Sequence, residues 1–386
     1  MNVLILTRWY PTPEVPYLGA FVRDQALALA RAGVSVTVMH PEVVPFGSRL
    51  PARERHVVEE GVTLFQARSR SPLPRVEAAF EWATERLVRR MAPWVARAGM
   101  PDLIHAHVSY PTGMAAIRLG RTWNVPVFVT EHHSPFSALV AHPWARRSAL
   151  NVLEAATEVF AVSQALASAM QAEGVERPVR ILPNIVDPDC FEVTPLPDSE
   201  TLELLSVGSL VPMKDHAMLF EALGILARQQ PEQLPRLTLI GEGPLRGTLE
   251  ALAQRLGIAT NVRFLGARSR AEVAEALAQS SALVVSSRAE TFCVAAAEAL
   301  SAGRPVVSTR CGGPEDFLNE RTGEWVPVGD PQAMAEGLRR LKARLQAFEP
   351  ESLARDARAR FAPAVIASSL IEAYGQHVGG RARGPS

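Results

Sequence analysis

The sequence predicts an α/β chain made of two successive doubly wound units of similar size. Three observations carry this. Short apolar runs alternate with amphipathic stretches at helical spacing, the pattern of strands joined by helical crossovers into parallel sheets. The alternation is interrupted at residues 187–200, a stretch of Pro, Asp and Ser without sustained period, and then restarts. Finally, the 386 residues exceed what one hydrophobic core organises, at about 150 residues per domain.

The elements follow in order. Residues 2–7 (NVLILT) form a continuous apolar run ended by turn residues, as in a strand buried on both faces. A Pro/Gly-rich loop leads to residues 20–31, apolar at helical spacing. Gly33 breaks that helix before the strand-like 34–38 (VSVTV). Strands are then expected at 103–107, 126–130, 158–162 and 180–183, with a helix near 112–121. Beyond the linker the rhythm predicts strands at 202–208, 236–241, 262–266, 282–287 and 305–309. Helices at 215–229, 244–256, 270–279 and 292–302 separate them. The expected boundaries are 1–190 for the first unit, 200–362 for the second, a helix at 363–376 and a loose Gly/Arg-rich tail at 377–386. Ligands in such sheets bind beyond the carboxyl ends of the strands, so the expected site lies between the two units.

Composition narrows the function classes. Forty basic side chains balance forty acidic ones, leaving no basic excess of the kind that marks nucleic-acid binding. Ordinary apolar content with zero net charge argues against intrinsic disorder. Cys190, Cys293 and Cys311 are far apart, which fits neither a disulfide framework nor a zinc site. The N-terminus lacks a signal-peptide pattern, and no run approaches the ~18–20 apolar residues of a membrane span. A soluble protein of a reducing, cytoplasmic compartment is expected.

Several features point to chemistry. Glu290 and Glu298 are eight residues apart in ETFCVAAAE, where the alanine run predicts a helix starting just after Glu290. Eight helical residues rise ~12 Å, so the two carboxylates suit the ends of an extended ligand rather than one atom. The N–H groups of residues 292–294 would open that helix and favour phosphate. Taken alone, the spacing favours the plainer reading of one Glu at a helix cap and another on a solvated polar face. Lys214, one of only two lysines beside Lys342, follows a strand in GSLVPMKD, a place suited to a point charge on phosphate. The run Gly241-Glu242-Gly243 with Gly247 misses the dinucleotide spacing by one residue and reads as a tight strand-to-helix turn.

Histidines gather in the first half. His105 and His107 share one face of a strand, and His132 and His133 follow another strand's carboxyl end. No partner sits at metal-ligand spacing, so one imidazole donating to a polar substrate group is the favoured reading. Asp187-Pro188-Asp189 reads as a turn rather than a metal-binding pair. Residues 75–99 mix Phe80, Trp82, Met91 and Trp94 with Arg86, Arg89, Arg90 and Arg97. That helix suits core packing or docking on a membrane surface.

Taken in order, these segments resemble the retaining glycosyltransferases of family 4, which have the two-domain GT-B fold. The match runs through Gly19-Ala20-Phe21, His105-Ala106-His107, Thr130-Glu131-His132, Val162-Ser163, and Leu182-Pro183-Asn184-Ile185-Val186-Asp187. It continues with Val207-Gly208-Ser209-Leu210 to Lys214, Gly241-Glu242-Gly243-Pro244-Leu245, Val262 to Gly266, Glu290-Thr291-Phe292 to Glu298, and Gly312-Gly313-Pro314-Glu315. The resemblance implies two Rossmann-like domains facing across a cleft and a nucleotide diphosphate sugar held mainly by the second. It implies that Glu298 binds the ribose and Glu290 the sugar hydroxyls. Lys214 would neutralise the diphosphate, with the backbone at Phe292 and Cys293 and the loop at Gly19. His132 would contact the transferred sugar. Ser209 and Gly243 lie in the matching donor-binding segments. No cofactor and no metal are implied. The implied acceptor is a glycan, a lipid-linked molecule or a small polar compound, in envelope or exopolysaccharide synthesis.

The implied last helix, 363–376, returns to the first domain. Three positions depart from the family pattern. Ser209 stands where arginine is frequent, Cys293 where glycine is common, and His133-Ser134 where Gly-Asp is frequent. A sugar-nucleotide isomerase or hydrolase and a catalytically silent nucleotide-sugar-binding protein are the rival readings.

Overall fold

The computed structural model describes residues 1–45, 47–48, 50, 53–71, 73 and 76–378. The expected tail therefore lies almost wholly outside the described residues, as does Arg75. The first unit runs β1 (Asn2–Thr7), α1 (Ala20–Arg31), β2 (Ser35–Val44), β3 (Arg53–Glu59), β4 (Val62–Arg70), α2 (Glu77–Ala98) and β5 (Leu103–His107). It continues with α3 (Met114–Trp123), β6 (Val127–Glu131), α4 (Phe136–Val140), α5 (Pro143–Ala155), β7 (Glu158–Ala161), α6 (Gln164–Ala172) and β8 (Val179–Ile181). The second unit holds β9 (Glu203–Val207), α7 (His216–Gln229), β10 (Arg236–Ile240), α8 (Arg246–Arg255), β11 (Val262–Gly266) and α9 (Arg270–Ala278). After these come β12 (Ala282–Val285), α10 (Val294–Ser301), β13 (Val306–Thr309), β14 (Gly323–Val326), α11 (Pro331–Arg344) and α12 (Pro350–Phe361). The last helix is α13 (Pro363–Val378).

Contacts divide the chain at Ile185/Val186 and at Ala362/Pro363, with Met1–Ile185 and Pro363–Ser386 in one unit. The first break falls a few residues ahead of the boundary read from composition. Segment 186–199 belongs to the second unit, and Arg304 shows why. This fully buried side chain donates to the carbonyls of Thr194 (2.8 Å), Pro195 (3.2 Å), Leu277 (2.9 Å) and Ala278 (3.0 Å). Asp187-Pro188-Asp189 forms a 3₁₀ turn, with the Asp187 carboxylate accepting the Asp189 N–H at 3.1 Å.

The first sheet has the order β3-β4-β2-β1-β5-β6-β7-β8, parallel except for the β3/β4 pair. Sequence rhythm did not reveal the β3–β4 hairpin. Its edge strand is charged (RERHVVE) and alternates half-buried and exposed positions, as edge strands do to resist pairing with another chain. Glu60 and Gly61, both at positive φ, make its two-residue turn. Helix α13 supplies Ile366, Ala367, Leu370, Ala373 and Tyr374 to this unit's core, alongside Val22, Ala26 and Leu29 of α1. In α2, Trp82 is exposed beneath the Arg86 guanidinium, 5.4 Å from the ring centroid, while Leu87, Val88, Met91 and Val95 are buried.

The second sheet has the order β11-β10-β9-β12-β13-β14, all parallel. Counted within the unit this is 3-2-1-4-5-6, the dinucleotide-fold order. Its helices start on side-chain caps where the sequence provides them: Ser269 and Glu272 form a capping box on α9, and Asp330 caps α11.

Candidate functional site

In the second sheet the strand order reverses between β9 and β12. In such sheets ligands bind beyond the carboxyl ends of the strands at this reversal. Lys214 leaves β9 and Glu290 leaves β12, and their side chains meet, Nζ to Oε1 at 2.6 Å. Ser287 donates its hydroxyl to the same Glu290 oxygen at 2.6 Å. The backbone of Glu290 is fixed on both sides, its N–H donating to Cys311 O (2.7 Å) and its carbonyl accepting from Gly313 N (2.8 Å). The Ser286 hydroxyl donates to the Lys214 carbonyl at 2.8 Å. Burial opposes the Lys214 charge, but Glu290 outweighs it and the lysine pKa is raised.

One expectation needs correction. Helix α10 begins at Val294, and Glu290 lies before it in an extended segment that forms a parallel bridge with Gly312. The separation from Glu298 is therefore not a helical rise. A turn at positive φ, Cys293 at +70°, intervenes and delays the helix. Glu298 sits within α10, nearly buried, with Arg270 Nε 3.5 Å from its carboxylate. The first N–H groups of α10, at Val294 and Ala295, have no intrahelical acceptor and form an anion-favouring end.

The remaining second-unit residues lie on the loops after β9 and β10 and in the segment that leads into α10. Phe292 is buried against Phe317 and Phe361 at ring distances of 5.3 and 5.4 Å, so its backbone rather than its ring is available to a ligand. Ser209 is exposed on the loop after β9. Gly243 has a packing reason to be glycine, because a Cβ there would lie 2.4 Å from Leu210 O. Leu210 N in turn donates to Glu242 O at 2.9 Å, knitting the loops beyond β9 and β10 together. Burial holds the Cys293 thiol well above its usual pKa, and Glu290 adds to this. Its left-handed backbone suits glycine. Cys293→Gly is expected to stabilise the unit by about 0.5–1 kcal/mol in urea unfolding; a lower midpoint would contradict this account.

Sequence reading missed Arg288 and Asp215, an ion pair at 2.9 Å that brings a second cation beside Lys214. The available signal was position, since Arg288 follows the polar Ser286-Ser287 ending of a buried strand.

In the first unit, Gly19 caps α1 at φ +73°, and a Cβ would lie 2.3 Å from the Trp9 backbone. Only glycine fits this turn. His132 follows β6 and lies in a buried imidazole chain. Gln25 Nε2 is 3.3 Å from His107 Nε2, and His107 Nδ1 is 2.9 Å from His132 Nε2. With the Gln25 amide donating, His107 carries its hydrogen on Nδ1 and donates to His132. His132 Nε2 is then an acceptor, and its hydrogen resides on Nδ1. Burial keeps both rings neutral, His107 down to about 3 and His132 well below its usual value. His105 stacks on His107 and bonds Tyr374 and Thr130.

Glu131, also missed, accepts from Ser109 N and Oγ and from the N–H groups of His132 and His133. It shapes the turn that presents the imidazoles. Among the described residues no group of three or more His, Cys, Asp or Glu is placed to hold a metal ion.

Comparison with known proteins identifies the family. Residues 18–190 match the family described as Glycosyltransferase Family 4, and residues 192–355 match Glycosyl transferases group 1. The chain is 29% identical to D-inositol 3-phosphate glycosyltransferase of Stackebrandtia nassauensis, over 97% of this chain and 90% of that protein. It is 34% identical to one polypeptide of human phosphatidylinositol N-acetylglucosaminyltransferase, over 37% of this chain and 29% of the human one. HepE of Anabaena, solved with UDP-glucose, superposes with a TM-score of 0.72 over 97% of this chain and 100% of that one, at 19% identity. With two parallel Rossmann-like sheets and both family segments in sequence order, this chain is a GT-B glycosyltransferase of family 4.

Proposed function

We propose that the protein transfers a hexosyl unit from a nucleoside diphosphate sugar, with retention of anomeric configuration, to a glycan, lipid-linked or small polar acceptor. The Lys214–Glu290 contact at the switch point of the second sheet carries this reading. It places an ammonium beside the N-terminal end of α10, where a diphosphate leaving group gains from both. Glu290 accepts hydrogen bonds from sugar hydroxyls, and Glu298 from the ribose. His132 donates through Nδ1 to an oxygen of the transferred sugar. Attack comes from the face the diphosphate leaves, through an oxocarbenium-like state, and a departing phosphate oxygen takes the acceptor's proton. No metal is required. HepE, which was solved with UDP-glucose, and the glycosyltransferase relatives support a donor of this class.

The test is incubation with UDP-, GDP- and ADP-sugars and an acceptor panel in excess chelator, with the product anomer read by NMR. Transfer with retention supports the reading. Donor loss without acceptor, nucleotide binding without transfer, or strict Mn²⁺ dependence overturns it. Among the described residues no helix is long and apolar enough to cross a membrane.

The imidazole chain gives a second check. Gln25→Glu would accept from His107 Nε2, reverse its tautomer and turn His132 Nδ1 into an acceptor. The kcat is expected to fall about tenfold or more, exceeding the loss in Gln25→Ala, with nucleotide binding unchanged. Imidazole ¹⁵N shifts report the tautomers directly, and unchanged shifts in Gln25→Glu would refute the chain.

A further inference from the structure

The first sheet also has a point where its order turns. β1 pairs with β2 on one side and β5 on the other, so the carboxyl ends of β1 and β5 flank a switch point where ligands bind. Arg8 is the first residue past β1. A cleft of about 330 Å³ opens there, lined by Arg8, Glu77, Phe80, Tyr110, His133 and His142 with smaller apolar residues.

Arg8 is unlike the unit's other half-buried or buried arginines. Arg68 pairs with Glu42 at 2.6 Å, and Arg177 donates to the carbonyls of Leu153, Glu154, Ala156 and Thr157. Among the described residues the Arg8 guanidinium makes no hydrogen bond and no ion pair. It lies over Phe80, 5.1 Å from the ring centroid, and 5.9 Å from that of Trp9, which stacks on His133. These rings orient the fork without offering it an acceptor oxygen. Burial lowers its pKa, with Glu77 and Tyr110 pulling the other way.

The rest of the lining is complementary. His142 Nδ1 accepts the Trp144 N–H at 3.3 Å, so its hydrogen is on Nε2 as a donor. Tyr110 gives its hydroxyl hydrogen to the Glu77 carbonyl at 2.8 Å, while the Glu77 carboxylate suits a ligand hydroxyl. His133, a departure from the family pattern, forms part of this wall.

We propose that this cleft binds an anionic polyol: a phosphate or carboxylate on the Arg8 fork, and neighbouring hydroxyls on Glu77 and His142. This rests on the glycosyl-transfer reading only in taking that molecule to be the acceptor. The anion is either soluble or part of a lipid headgroup, and the guanidinium chemistry is the same for both.

The full chain is titrated with glycerol 3-phosphate against glycerol and glucuronate against glucose. Sedimentation with phosphatidylcholine vesicles is compared with and without phosphatidylinositol. At least a tenfold preference for one charged probe is expected, lost in Arg8→Gln and partly kept in Arg8→Lys, with nucleoside diphosphate binding unchanged in both. Binding only to the phosphatidylinositol vesicles assigns the lipid source, and binding only in solution assigns a soluble acceptor. Equal binding of charged and neutral probes, or a preference surviving Arg8→Gln, overturns the site. If Arg8→Gln does not fold, Arg8→Lys and the wild-type preference decide. Since binding is read without turnover, a charged-probe preference with no transfer to any acceptor sinks the enzymatic reading and leaves this site standing.

Discussion

Glu290→Ala is expected to lower the transfer rate by about three orders of magnitude while nucleoside diphosphate affinity changes little. The carboxylate is nearly buried, anchored through its backbone on both sides, and shares one oxygen between Lys214 and Ser287. A group fixed this rigidly needs no reorganisation when the sugar becomes electron-poor. Lys214→Ala, in contrast, is expected to weaken diphosphate binding about tenfold and also slow transfer, since it removes charge from the leaving group. Because the two side chains touch, the losses will not add, and the double variant should be better than their product. Glu298→Ala should weaken nucleotide binding itself. The pH profile gives an independent readout. Glu290 raises the lysine pKa, so Glu290→Gln should move the alkaline limb of activity to lower pH. Steady-state kinetics and nucleotide titration check all five variants, and near-wild-type values in Glu290→Ala and Glu298→Ala would remove the site assignment.

Arg304→Ala is expected to cost the second unit about 4 kcal/mol, on the order of 10 °C in melting temperature. Removal leaves the carbonyls of Thr194, Pro195, Leu277 and Ala278 short of a donor in a site closed to water, along with the volume of the side chain. Burial pulls the guanidinium down to about 10, so it remains charged at neutral pH, with carbonyl dipoles in place of a counter-ion. Lysine cannot reproduce the fork, so Arg304→Lys should recover only part of the loss. Thermal unfolding with hydrogen exchange on β13 gives the measurement. Coincident melting of the variant and the wild type would show that the segment at 194–195 is held by something else.

These two residues mark what could be read from the amino-acid order. Lys214 was legible because lysine is rare in this chain and the residue follows a buried strand. Arg304 was not, since it is one arginine among many and its partners are carbonyls brought together only by folding. The alternation of apolar runs and helical stretches located the strands from β9 to β13, among which β12 and β13 are buried throughout and leave a continuous apolar signal. It failed at β3–β4, where a charged edge hides the period. Glu290 and Glu298 were singled out by residue type, but their geometry was not legible. The left-handed turn at Cys293 is a backbone choice that the alanine run concealed. The imidazole chain was half visible: His107 and His132 stood out, whereas Gln25, which sets the tautomer, looks like any polar helix residue. Arg8 and its cleft drew no notice in the sequence at all.

Helix α13 completes the core of the first unit with Ile366, Leu370 and Tyr374, yet it is synthesised after the whole second unit. On the ribosome, Met1–Ile185 must therefore wait for its closing helix during translation of the intervening chain. At roughly 10 residues per second that wait is about 20 s. The nascent chain meanwhile carries an unsealed apolar surface along α1 and β1, a natural place for a chaperone to hold. Loss of the final helix would open the core of the first unit along α1 and remove nothing from the second.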